Sequence, residues 1–180
     1  MTQRQTARIA IVTVSDRASR GEYEDKGGPA AEAWLREVVT SPIEITRQII
    51  PDGREGVAAT LRQLADGDGA DLILITGGTG PAPRDETPEA LAEVIEKELP
   101  GFGEEMRRAS LAEGIPTAIL SRQTAGIRDA CLMITIPGKP AAIATCLNAV
   151  FAAVPYCLDP IGAARIETDP ERITALRPKA

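Results

Sequence analysis

The chain contains no histidine. That removes the side chain that most often acts as a general base near neutral pH, the usual serine-protease-type triad and every imidazole metal ligand. Any chemistry must rest on carboxylates, cations, backbone amides and a hard cation such as Mg²⁺. Aromatic residues make up only 3% of the chain, and Tyr23, Trp34, Phe102, Phe151 and Tyr156 are too scattered to form a platform for stacking bases. The three cysteines, Cys131, Cys146 and Cys157, are odd in number and widely spaced. They fit neither a disulfide framework nor a zinc site, and read as buried free thiols of a reducing cytoplasm. The N-terminal MTQRQTAR lacks the apolar centre of a signal peptide, and no apolar run is expected to be long enough to span a membrane. A cytoplasmic protein without a membrane partner is the expectation. Lysine is missing between Lys26 and Lys97, which excludes a Walker A loop from the glycine-rich middle of the chain.

What remains is ordinary in bulk. The 180 residues are 43% hydrophobic and 26% charged, enough for a single domain, residues 1–180, that buries about 70% of its unfolded surface. The net charge of −6 argues against broad binding to nucleic acid, although a local basic pocket stays open. Residues 8–14 and 43–50 read as strands and residues 29–39 as a helix with an apolar stripe. Asp52 precedes a helix over 54–65, and its spacing to Glu55 is that of a capping box. Residues 72–75 form a continuous apolar strand. Helices follow over 89–98 and 103–112. Residues 117–120 and 131–136 read as two strands of an antiparallel hairpin, and residues 141–154 as a long apolar helix. The alternation predicts a three-layer α/β/α fold with a mostly parallel central sheet plus that short hairpin. Its core runs over about 8–158, and a polar tail, 159–180, lies loosely on the surface.

The most informative stretch is DLILITGGTGPAPRDETPEAL, from Asp71 to Leu91. A buried strand runs into Gly77, Gly78 and Gly80, whose backbone can take positive φ and come close to a ligand. Thr87-Pro88 reads as a cap and first helical residue. Ligands of open α/β sheets bind at the carboxyl ends of strands, and the turn is a candidate phosphate cradle. Pro83 stands where a dinucleotide fingerprint requires its third glycine. A plain structural turn would explain the glycines but not Arg84-Asp85. Asp16, Asp52 and Asp85 each follow a strand, and parallel neighbours would gather them at one edge, an environment suited to Mg²⁺ and phosphate. Asp52 could equally be a helix cap, and Asp16 could cap its own loop. The Pro137-Gly138-Lys139-Pro140 segment could break a strand or receive an anion at a helix start.

Four motifs in order resemble the MogA branch of the MogA/MoaB family, the molybdopterin adenylyltransferases of molybdenum cofactor biosynthesis. They are SDRASRGEYEDKGGPA at Ser15–Ala30, TGGTGPAPRDETPEAL at Thr76–Leu91, SLAEGIPTAILSRQTAGIR at Ser110–Arg128 and IPGKP at Ile136–Pro140. The resemblance covers residues 9–151. It implies a homotrimer that transfers AMP from Mg-ATP to the terminal phosphate of molybdopterin, releases pyrophosphate and hands the product to a molybdenum insertion enzyme. It implies Asp52 and Asp85 as catalytic residues and Mg²⁺ ligands. Thr76, Gly77, Gly78, Thr79, Gly80, Asp16 and Gly138 would then hold nucleotide, and Ser110, Ser121 and Arg122 would contact the pterin. A MoaB-like homologue, a pterin carrier without chemistry, and the related domain of nicotinamide-nucleotide recycling proteins are the rivals. The long Ser15–Ala30 segment favours the transferase.

Overall fold

The computed structural model describes residues 5–178; the first four and last two residues, which include the ends of the N-terminal stretch and of the tail, lie outside the described residues. Strand β1 (Ala7–Val14) pairs in parallel with β2 (Ile43–Ile50) and β3 (Leu72–Thr76), and β3 pairs in parallel with β6 (Cys131–Ile136). Strand β5 (Ala125–Arg128) runs antiparallel to β6, and the two-residue β4 (Lys97–Glu98) antiparallel to β5. The six strands follow the order β2-β1-β3-β6-β5-β4.

Every residue of β3 and β6 is buried, as expected of parallel strands covered on both faces. Alternation divides them cleanly. Ile9, Ile11, Leu72, Leu74, Leu132 and Ile134 face one core, whereas Ala10, Val12, Ile73, Ile75 and Met133 face the other. The first core is closed by α2 (Gly27–Val38), α5 (Pro100–Ala112), α6 (Pro140–Val150) and α7 (Val154–Leu158). There the ring of Trp34 meets Phe151 edge-on at 4.9 Å, and its indole N–H donates to Asn148 Oδ1 at 2.9 Å, which satisfies the one polar atom that the ring buries. The second core is closed by α3 (Arg54–Arg62) and α4 (Thr87–Ala92). The three-layer, mostly parallel expectation holds.

Several local expectations are corrected. Residues 117–120 are not a strand: Pro116–Leu120 is a 3₁₀ turn that leaves Ile119 67% exposed, because Pro116 starts a helical turn well and no sheet edge lies beside it. The antiparallel partner of β6 is β5 instead, joined through Asp129 at φ 47°, a left-handed geometry that aspartate tolerates. The helix expected over 89–98 ends at Ala92. Beyond it Glu96 N–H donates to Ile127 O at 2.8 Å and Leu99 N–H to Ala125 O at 2.8 Å; acids at Glu93, Glu96 and Glu98 would also oppose the dipole of a longer helix. The segment Pro140–Leu158 is, contrary to expectation, long and apolar enough to cross a membrane, with 19 residues at mean hydropathy 1.8. It packs as a core element, with Ile143, Cys146, Leu147, Val150 and Phe151 against the sheet.

The tail is not loose either. Ala163, Ala164, Ile166 and Ile173 are buried in the first core, and Thr40 N–H donates to Glu167 O at 2.9 Å. Asp71, fully buried just ahead of β3, is the anchor. Its Oδ2 accepts from Arg8 N–H at 2.8 Å and its Oδ1 from Ala164 N–H at 2.8 Å, joining the first strand to the tail. Asp71→Ala leaves both amides without that acceptor and should destabilise the protein by about 2–5 kcal/mol. Urea unfolding checks this; a loss below about 0.5 kcal/mol would show that water replaces the carboxylate.

Candidate active site

Parallel pairing sets the strand ends level: Val14 lies opposite Ile50, and Thr76 opposite both Thr13 and Ile136. The loops that leave these ends therefore meet. Asp16, after β1, opens the single-turn helix α1 (Asp16–Ser19). Its backbone N–H donates to Asp52 Oδ2 at 2.7 Å, and Asp52 N–H returns a bond to Asp16 Oδ1 at 3.2 Å. The expected capping box is absent. The residue that caps α3 is Gly53, at φ 129°, without a side-chain cap bond, and the Asp52 carboxylate turns toward Asp16. Arg84 then bridges both loops: its Nε donates to Asp16 Oδ2 at 2.6 Å, and its terminal nitrogen to Asp16 Oδ1 at 3.0 Å and Asp52 O at 2.6 Å. The hydrogen-bonded guanidinium of Arg84 holds the Asp16 carboxyl below its ordinary value of 3.8. This clasp is complete above pH 3.8 and is released only as pH falls below it.

The glycine turn is shaped from inside the protein. A Cβ on Gly77, at φ 99°, would lie 2.3 Å from Val14 O, and one on Gly78, at φ 63°, would lie 2.2 Å from Thr87 Oγ1. Neighbouring chain, rather than ligand approach, demands these glycines. Gly77 N–H is already donated to Ile136 O at 3.2 Å. The amides of Gly78, Thr79 and Gly80 meet no acceptor among the described residues, and they are the donors the turn can offer an anion. Thr76, buried, spends its hydroxyl on Pro137 O at 3.0 Å, which draws the Gly138 segment against the turn.

Asp52 and Asp85 line one cavity of about 260 Å³ with Gly77, Gly78 and Gly138. A neighbouring cavity of about 550 Å³, also lined by Asp52, extends over Gly53, Arg54 and Glu86. Asp85 Oδ2 accepts from Ala82 N–H at 3.1 Å; Oδ1 of Asp85 and Oδ1 of Asp52 accept nothing among the described residues. No group of three or more acidic or thiol side chains placed to hold a metal occurs among the described residues. Two half-free carboxylates fit an ion that arrives with phosphate oxygens of its own, which is the usual habit of Mg²⁺.

Ser121 and Arg122 lie beside this turn, and Ser110 does not. Thr79 Oγ1 and Ser121 Oγ are 3.3 Å apart, and the Ser121 hydroxyl also donates to Gln123. Arg122 donates to Gly80 O at 3.1 Å, and to Asp85 O and Glu89. Ser110 is buried in α5, with its hydroxyl on Met106 O at 3.0 Å. Sequence reasoning missed Asp25, which lines the same cavity and accepts from Thr13 Oγ1 at 2.9 Å and from the amides of Gly27 and Gly28 at 3.0 Å. An aspartate two residues before a helix that opens on Gly-Gly-Pro is a capping signal. It also missed the bridging part played by Arg84, which no local pattern encodes.

The chain matches the family described as "probable molybdopterin binding domain" over residues 10–156. It is 49% identical to the molybdopterin adenylyltransferase of Helicobacter pylori, over 97% of this chain and 99% of that protein. The molybdopterin adenylyltransferase of Escherichia coli K12 is 46% identical over 97% of this chain and 95% of its own length. Among solved structures, the molybdopterin biosynthesis enzyme MoaB of Thermus thermophilus superposes with a TM-score of 0.79 at 39% identity, over 87% of this chain and 96% of that one. A sheet of this order, a glycine turn facing two acids and likeness of this extent have one reading: the chain belongs to the MogA/MoaB family of molybdenum cofactor biosynthesis proteins.

Proposed function

We propose that this chain is a molybdopterin adenylyltransferase that moves AMP from ATP to the terminal phosphate of molybdopterin. The observation that carries the reading is the pair Asp52 and Asp85, each with one carboxylate oxygen to spare, facing one cavity with the glycine turn. Relatives named for this activity match almost the full chain. In the reaction a phosphate oxygen of the pterin bonds to the α-phosphorus of ATP as the bond to the β-phosphate bridge breaks, and pyrophosphate leaves. The nucleophile is already an anion near neutral pH, so the lack of histidine is no handicap. Phosphoryl-type transfer needs positioning and charge neutralisation above all.

The amides of Gly78, Thr79 and Gly80 are suited to donate to nucleotide phosphates. Asp52 and Asp85 would hold Mg²⁺, which supplies neutralisation of phosphate charge. Thr76, Asp16 and Gly138 support the nucleotide side by shaping the cavity rather than through spare polar groups. The pterin is assigned to the Ser121 side, where Arg122 holds the loop and Ser110 acts only from behind, within α5. A homotrimer follows from the family resemblance, and Leu111, Ile115, Ile119 and Leu120, exposed apolar residues close in sequence, would suit burial in such an association. Hand-over of product to a molybdenum insertion enzyme, and a cytoplasmic setting, complete the reading. Three free thiols suit a reducing compartment, with burial pushing Cys131 up to about 12 and Cys146 up to about 11.

Asp85→Asn and Asp52→Asn preserve shape and remove charge. Each should lower pyrophosphate release from ATP, Mg²⁺ and molybdopterin about 10²-fold while molybdopterin binding and folding survive. Release at the parental rate in both variants would remove the two acids from catalysis, whereas no release by the parent protein itself would leave the chain a pterin carrier. Light scattering at micromolar concentration should give three times the chain mass; a monomer mass would remove the trimer.

A further inference from the structure

Arg84 is the residue immediately before Asp85, and its side chain reaches back to the main chain of Asp52. Its terminal nitrogen lies 2.6 Å from Asp52 O, while its fork grips both oxygens of Asp16 at 2.6 and 3.0 Å. Asp16 in turn exchanges two hydrogen bonds with Asp52. Three loops from three strands are therefore closed on one guanidinium. The loop that carries Asp85 is otherwise held mainly by bonds within itself, between Ala82 and Asp85 and from Glu86 N–H to Arg84 O. Pro81, Ala82, Pro83 and Arg84 are all exposed; Arg122 reaches the loop at Gly80 O and Asp85 O, and Arg54 N–H donates to Glu86 Oε2 at 3.3 Å. Among the described residues, Arg84 is the side chain that ties this loop to both Asp16 and Asp52.

The geometry points to Arg84 as a positioning residue that sets the separation of the Asp52 and Asp85 carboxylates, with Asp16 as its anchor. This rests on the adenylyltransferase reading for its catalytic consequence but not for its structural one. The planar fork matters. A lysine would keep the charge but could not grip both oxygens of Asp16 and reach Asp52 O together. A guanidinium that instead bound triphosphate directly would have to leave Asp16, so the two roles differ in what loss of Asp16 does. Freed from its anchor, a phosphate-binding Arg84 would bind ATP at least as well as before; a positioning Arg84 would lose its purpose.

Three variants, Arg84→Gln, Arg84→Lys and Asp16→Asn, and the Arg84→Gln/Asp16→Asn double variant test this on the full chain. Amide hydrogen exchange without nucleotide should speed up about five- to tenfold at the hydrogen-bonded amides of Ala82, Asp85 and Glu86 in each, with the strands of the sheet unchanged. With ATP, Mg²⁺ and molybdopterin, kcat should fall about 10- to 100-fold, as expected for misplaced catalytic groups, and the KM for molybdopterin should stay within about twofold. The double variant should lose no more than the worse single one, because both act through the same clasp. Unchanged exchange at those amides in Arg84→Gln overturns the proposal, as does a tighter KM for ATP with undiminished kcat in Asp16→Asn. If the parent protein itself releases no pyrophosphate, the adenylyltransferase reading fails, and the exchange result still decides the clasp.

Discussion

In-register parallel pairing is the constraint on which the rest of this molecule depends. Because Val14 sits opposite Ile50, and Thr76 opposite Thr13 and Ile136, four chain segments leave the sheet at one level. Their side chains need only short reaches to meet, and Asp16, Asp52 and Arg84 close the gap with ordinary hydrogen bonds. A slip of one residue in any strand would turn its apolar set to the wrong core and carry its loop out of reach. The cores thus enforce the geometry of the site: the alternation of Ile9 and Ile11 with Ala10 and Val12 fixes where Asp16 emerges.

The turn after β3 shows how closely the strands approach. With no room for a side-chain carbon between Gly77 and the Val14 carbonyl, the ends of two neighbouring strands touch by backbone alone. Asp25 does the matching work across the cavity. By accepting from Thr13 and from two amides of α2, it sets the start of that helix against the end of β1. The site is therefore floored by main chain, and its acids stand on loops that are tied rather than free.

Much of this was legible in the sequence, where a pattern is local. The apolar runs of β3 and β6, the stripe of α2 and the order of strands and helices all follow from periodicity and punctuation, as does the gathering of acids after parallel strands. What was hidden depends on distant partners. Asp52 has the spacing of a capping residue with Glu55, yet Asp16, far along the chain, offers it a better donor. Residues 117–120 are apolar enough for a strand, but a strand also needs a free edge, and β5 had already taken it. Gly78 was legible as a glycine that must be one, although the reason lies in Thr87 behind it rather than in a ligand before it. The tail is polar on average and still supplies Ala163, Ala164 and Ile166 to a core, since a few small apolar residues suffice where the sheet leaves a gap.

The double role of Asp71 bears on how the protein is made. One of its carboxylate oxygens serves the first strand and the other the amide of Ala164, so two residues far apart in the chain share a single buried side chain. During synthesis the first strand can find β2 and β3 early, but the bond from Ala164 to this side chain must wait until residue 164 has left the ribosome. Completion of this corner of the fold is thereby deferred until residue 164 is free, and a chain stopped short of it would lack one of the amides that this buried aspartate serves just ahead of β3.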